Sequence, residues 1–131
     1  MILTMSESQK RMLALFGKVV GIDATYRVTM WGLPFFVVVV VNAQGHAFPA
    51  AFFWISEETN EAIAEVLLYM RRMVPSWEPT LIIVDKSDAE IVAIQRVFPR
   101  CFIMLCDFHV KQAWQRWLNA TAHGVRDEAD R

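Results

Sequence analysis

A chain of 131 residues is the size of one domain and is long enough to bury a core without disulfide or metal staples. Hydrophobic residues make up 55% and charged residues 21%, which excludes a disordered tail and fits a core-rich globular domain. The formal charge of −1 excludes the basic sheath of a free-standing DNA-binding domain, so contact with DNA has to come from a local patch or from another domain.

Residues 1–16 read as a lead-in segment with helical flavour in its second half. Lys18 to Val28 reads as a strand, because Val19, Val20, Ile22, Tyr26 and Val28 are β-prone. Gly32 and Pro34 mark a turn, and Phe35 to Val41 is a continuous apolar run expected to form a strand buried on both faces. Asn42 to Gly45 is a turn, and Ala47 to Ile55 a third strand in which Pro49 signals an edge or a bulge. Ser56 is the expected N-cap of a helix, with Glu57, Glu58 and Thr59 in its first turn and Ile63, Val66, Leu67 and Met70 at helical spacing. Leu81 to Val84 is a short buried strand ending at Asp85. Ser87 or Asp88 caps a second helix with Ile91, Ile94 and Val97 on one face, and Pro99 ends it. Cys101 to Cys106 is a fifth strand, His109 to Leu118 begins a third helix, and the polar residues 119–131 carry little pattern.

The two cysteines, Cys101 and Cys106, do not make a secreted disulfide framework, and an intracellular compartment is the simpler expectation. Residues 1–10 lack the layout of a signal peptide. The longest apolar run, Leu33 to Val41, is too short to span a bilayer, so no membrane segment is expected.

The element order is β-β-β-α-β-α-β-α, which predicts an α/β domain with a mixed five-stranded sheet flanked by helices, the RNase H-like order. In that order the first and fourth strands are parallel neighbours. Asp23 and Asp85 then lie side by side at the sheet edge where ligands gather. Two close carboxylates repel, and a hard divalent cation such as Mg²⁺ relieves the repulsion. Two such ions, about 4 Å apart, activate water and stabilise a leaving oxygen in phosphodiester cleavage. The plainer alternative is that Asp23 bonds to backbone at a strand end and Asp85 caps the following helix.

Cys106 and His109 have the spacing of half a Zn²⁺ site, but Cys101 and His123 complete no standard zinc pattern. A buried cysteine at a strand end and a histidine in a first helical turn is the favoured account, so zinc is not expected. In the following helix Lys111, Gln112, Gln115 and Arg116 alternate with Trp114 and Trp117. Rings and cations together can hold single-stranded nucleic acid, with Lys111 and Arg116 the possible DNA contacts. His109-Ala113-Trp117 and Val110-Trp114-Leu118 are also i, i+4 ladders, and a tryptophan stripe at helical spacing is more often core.

The run from Val84 to Pro99, in which an aspartate precedes a helix with an Ala-Ile pair closing on Phe-Pro, resembles the segment around the second catalytic aspartate of Mutator-like element (MULE) transposases. Leu105 to Trp117 is similar to that family's Cys-x-x-His signature and the helix after it. Asp23-Ala24-Thr25-Tyr26 resembles its Asp-x-Thr-Tyr motif, and Glu57-Glu58-Thr59 its acidic helix start. The resemblance runs from about Val19 to Leu118, and the Phe-His-Val-x-Gln-Ala-Trp wording also resembles animal proteins in which such a domain precedes a SWIM zinc finger.

The resemblance implies a DDE transposase: three acids hold two Mg²⁺ ions, nick the transposon end and join its 3′-OH to target DNA in the nucleus. Asp23 and Asp85 are then the first two acids, and Cys106 and His109 a family signature. The third acid of the family is a glutamate well beyond that signature, and neither Asp127 nor Glu128 is assigned to the role. The expectation is a lead-in at 1–16, a partial core at 17–118 and a polar tail at 119–131, inactive without a downstream segment. Two alternatives stay open: a domesticated, non-catalytic interaction module, and a nuclease that completes its site with a local acid such as Asp107. The oligomeric state is not legible.

Overall fold

The computed structural model describes residues 1–25, 32–84 and 88–105. In chain order these form β1 (Ile2–Thr4), α1 (Glu7–Phe16), β2 (Val19–Thr25), β3 (Phe35–Val41), β4 (Ala47–Trp54), α2 (Asn60–Met73), β5 (Leu81–Val84), α3 (Asp88–Val97) and β6 (Phe102–Leu105). The strands make a mixed sheet in the order β1-β4-β3-β2-β5-β6. β2, β3 and β4 form the expected antiparallel meander, and β5 and β6 continue it in parallel. The expected third helix and the tail lie outside the described residues.

The sheet has six strands, not five, because Ile2–Thr4 pairs antiparallel with Phe52–Trp54 of β4. Three residues are too short a run for periodicity to register. Ser6, two residues past this strand, caps α1: its side chain accepts from the Gln9 backbone N–H while the Gln9 side chain accepts from the Ser6 N–H, a capping box. Gln9 Nε2 also donates to the Pro49 carbonyl at 3.0 Å, where β4 extends past its β1 partner. Opposite Pro49 the β3–β4 register shifts between Val38 and Val39, so the proline marks a bulge as well as an unpaired stretch.

One face of the sheet carries the core. Val20, Ile22, Phe36, Val38, Val40, Phe53, Ile82 and Val84 form one cluster with Leu13 of α1, Ile63, Val66, Leu67 and Met70 of α2, and Ala93, Ile94 and Val97 of α3. The other face is covered only in part: Val39 is buried, Phe35 and Val37 are half-buried and Val41 is exposed, so the expected burial of β3 on both faces holds around Val39 and not at its ends. Gly17 is where α1 meets the rest: Trp77 Nε1 donates to its carbonyl at 2.9 Å, and the indole meets Phe98 edge-on at 5.0 Å. Such an aromatic pair adds about 1 kcal/mol beyond its burial.

Two helix details differ from expectation. α2 is capped by Thr59, whose Oγ1 accepts from the Ala62 N–H at 3.2 Å, and not by Ser56. The three residues 56–58 therefore precede the helix, and Thr59 donates its own N–H to the Glu57 carbonyl. The buried face of α3 is Glu90, Ala93, Ile94 and Val97, with Ile91 only half-buried. The spacing of 90, 93, 94 and 97 is as regular as that of the apolar set. An acidic residue on it defeats a reading by hydrophobicity.

Candidate functional site

Asp23 lies in β2 between Ile22 and Ala24, which are 2% and 7% exposed on the core side of the sheet. Alternation turns Asp23 to the opposite, half-covered face, where it pairs in register with Val37 of β3. The partial cover matters: a fully buried carboxylate costs several kcal/mol unless paired, whereas this one keeps access to water or an ion.

On its other side β2 runs parallel to β5, in the register Val19↔Leu81, Val20↔Ile82, Gly21↔Ile83 and Ile22↔Val84. The described ladder ends at Ile22↔Val84, one residue before Asp23 in one strand and one residue before Asp85 in the other. Asp85 itself, like Cys106, His109, Lys111 and Arg116, lies outside the described residues. Asp23 is thus the one expected site residue that the described structure places. Its oxygens are hard donors of the kind Mg²⁺ takes, and among the described residues no group of three His, Cys, Asp or Glu side chains gathers as a metal cluster.

Two other titratable groups stand out among the described residues. Glu90 in the first turn of α3 is the single buried charged side chain among the described residues, at 0% exposed. Sequence reasoning missed it, although its spacing to Ala93, Ile94 and Val97 was the available signal. Cys101, before β6, has its thiol pushed up from 9.0 to about 11, chiefly by burial; a backbone hydrogen bond at Ile82 works downward and the Glu78 carboxylate upward. It is therefore a neutral thiol at pH 7, a poor nucleophile and a reluctant metal ligand.

A groove of about 580 Å³ lies at the other end of β5, lined by Arg71, Glu78, Pro79, Thr80, Val97, Pro99 and Arg100. It is not the acid site: Thr80 precedes β5, whereas Asp85 follows it. Of its two cations, Arg71 and Arg100, Arg71 is already engaged, with Nη1 donating to the Val97 carbonyl at 3.0 Å and the guanidinium 5.1 Å from the Phe98 ring centroid. Among the described residues no helix is long and apolar enough to cross a membrane.

The chain is similar in fold to the catalytic core domain of BIV integrase, with a TM-score of 0.50 at 13% identity over 84% of this chain and 74% of that one. At that identity the likeness speaks for the RNase H-like fold alone. No curated protein matches the sequence. The MULE transposase domain matches residues 19–113, which include β2 with Asp23, Asp85, and the Cys106–His109 signature. This match spans most of the chain and agrees with the strand order, and the chain therefore belongs to the MULE transposase domain family.

Proposed function

We propose that this chain supplies Asp23 and Asp85 as the first two oxygen donors of a divalent-metal site in a transposase-type DNA-cutting core. The observation that supports the reading best is the parallel β2–β5 ladder, whose last described pair, Ile22↔Val84, precedes both aspartates in the sequence. The donors fit the ion: one half-covered carboxylate on β2 and a second that follows the parallel strand β5 in the sequence. When bound, a pair of Mg²⁺ ions supplies an activated water or 3′-OH and a counter-charge to the leaving oxygen. The work of the chain's own residues is to hold the donors in place. β2 holds Asp23, and Ile22, Ala24 and Val84 beside it in the chain or ladder belong to the buried core.

The partner is DNA, at transposon ends, and the working place is the nucleus. Lys111 and Arg116 are the candidates for phosphate contact, while Cys106 and His109 serve as a structural signature and not as a zinc site. Asp23 and Asp85 are the two acids of the family's three that are assigned here. A thermal melt with Mn²⁺ tests the metal site. At about a hundred times its Kd the ion adds roughly 2.7 kcal/mol, a rise of several degrees in Tm. The rise should disappear in Asp23→Asn.

The formal charge of −1 favours a second reading, in which the sheet is kept as an interaction module and the chemistry is lost. A melt that divalent ions leave unmoved would select it.

A further inference from the structure

Residues 1–18 precede the matched MULE segment, yet β1 and α1 are built into the sheet. What they cover is the outer side of β4. Ile55, just past β4, donates its N–H to the carbonyl of Pro34, just before β3, at 3.3 Å. Ile55 and, by alternation, Phe53 therefore turn their backbone groups toward β3. Phe52 and Trp54 turn theirs the other way, where they face Thr4 and Ile2 of β1. Farther along the same side the Pro49 carbonyl takes the Gln9 side chain, and Pro49 has no N–H to offer.

Without this cover the sheet would end on β4, eight residues with no charge and only Pro49 as a guard. With it the sheet ends on a strand of three residues, and a very short last strand is one way in which proteins blunt an edge. The cover is anchored at both ends. Leu3 packs against the core, Leu13 of α1 is fully buried, and the Gly17 carbonyl accepts the Trp77 indole N–H. α1 has ten residues. Its length of about 15 Å matches the three strand spacings of about 4.8 Å that separate β1 from β2.

We propose that β1, tied down by α1, is a built-in cover that stops β4 from pairing with β4 of a second copy of this chain. The β1 ladder shows that this side of β4 accepts an antiparallel strand. Two copies of β4 brought together antiparallel are related by a twofold axis, so every contact is made twice and the contact closes on itself. The strand carries no charge to oppose that approach. In the intact chain β1 holds the place because a tethered segment competes at an effective concentration in the millimolar range. The proposal is independent of the metal site and of DNA.

The test compares full chains: wild type, Ile2→Pro/Thr4→Pro and Ile2→Ala/Thr4→Ala. Both positions are exposed, so packing changes little, whereas the prolines remove the two N–H groups that face β4. The readouts are sedimentation over a range of protein concentrations and amide exchange at Phe52 and Trp54. In the proline chain the mass should climb toward twice the monomer with concentration. Its two amides should be open when dilute and protected when concentrated. The alanine chain should keep the wild-type mass and keep both amides protected throughout. A proline chain that holds the wild-type mass at every concentration would overturn the proposal. So would association that leaves the two amides open, which would place the contact on another surface. If the proline chain does not unfold cooperatively, the chain starting at Met5 takes its place, since it lacks β1 and keeps α1 with Leu13. Failure of that chain to fold would make β1 a structural strand and not a cover, and the proposal would fall.

Discussion

Ile22 and Val84 are partners in the parallel β2–β5 ladder, both buried, and each is followed in the chain by an aspartate. Asp23 lies inside β2, whereas Asp85 follows the last described residue of β5 in the sequence. In the proposed site, a divalent ion between the two carboxylates would relieve their mutual repulsion. Like charges a few ångströms apart cost on the order of 1–4 kcal/mol at the effective dielectrics of a protein surface.

Without metal, therefore, Asp23→Asn should leave Tm unchanged or raise it slightly, since it removes one of two like charges. Melting in EDTA checks this. A fall of several degrees would mean that Asp23 is held by a stabilising partner and serves the fold.

Gly17 has no room for a side chain. A Cβ there would meet Trp77 Cδ1 at 2.6 Å and the Leu13 carbonyl, so Gly17→Ala must displace either the indole or the end of α1. We expect a loss of roughly 2–3 kcal/mol, read from denaturant unfolding. Loss of the bond from Trp77 Nε1 to the Gly17 carbonyl would show as a changed tryptophan spectrum.

Much of this fold was legible in the sequence. β3 stood out because seven apolar residues in a row have few alternatives, and its bounds match expectation. The turn after it was also legible, since Asn42 Oδ1 accepts from the N–H groups of Gln44 and His46 and Gly45 takes φ +81°. β1 was not, because three residues give no period and only the open side of β4 makes them a strand. The cap of α2 was misread because Ser56 and Thr59 are equally good caps by type, and choosing between them depends on where β4 ends. Asp23 was legible as an anomaly, an acid among β-prone residues; Glu90 was not, because an acid in a first helical turn reads as solvated and outweighs the signal of its spacing to Ala93, Ile94 and Val97.

That choice of cap can be tested. Thr59→Ala should cost about 1 kcal/mol, and Ser56→Ala close to nothing. Equal costs in denaturant titrations would place the helix start at Ser56 after all.

Cys101 should alkylate slowly at pH 8 and speed up only as pH approaches 11. The linkage has a definite sign. The folded thiol holds its proton above the ordinary value of 9.0, so the unfolded chain ionises first. Stability from this group is full below pH 9 and is lost as pH rises from 9 toward 11. Cys101→Ser should flatten that part of the stability profile. A profile equally steep in the variant would trace the loss to other groups.

The most direct measurement is a calorimetric Mn²⁺ titration of the chain beside Asp23→Asn, Asp85→Asn and the double variant. Two aspartates sharing one site should give binding in the wild type and the same loss in each single variant, with no further loss in the double. Binding that survives in either single variant, or a wild type that takes up no Mn²⁺, would contradict a shared metal site at the end of the Ile22–Val84 ladder.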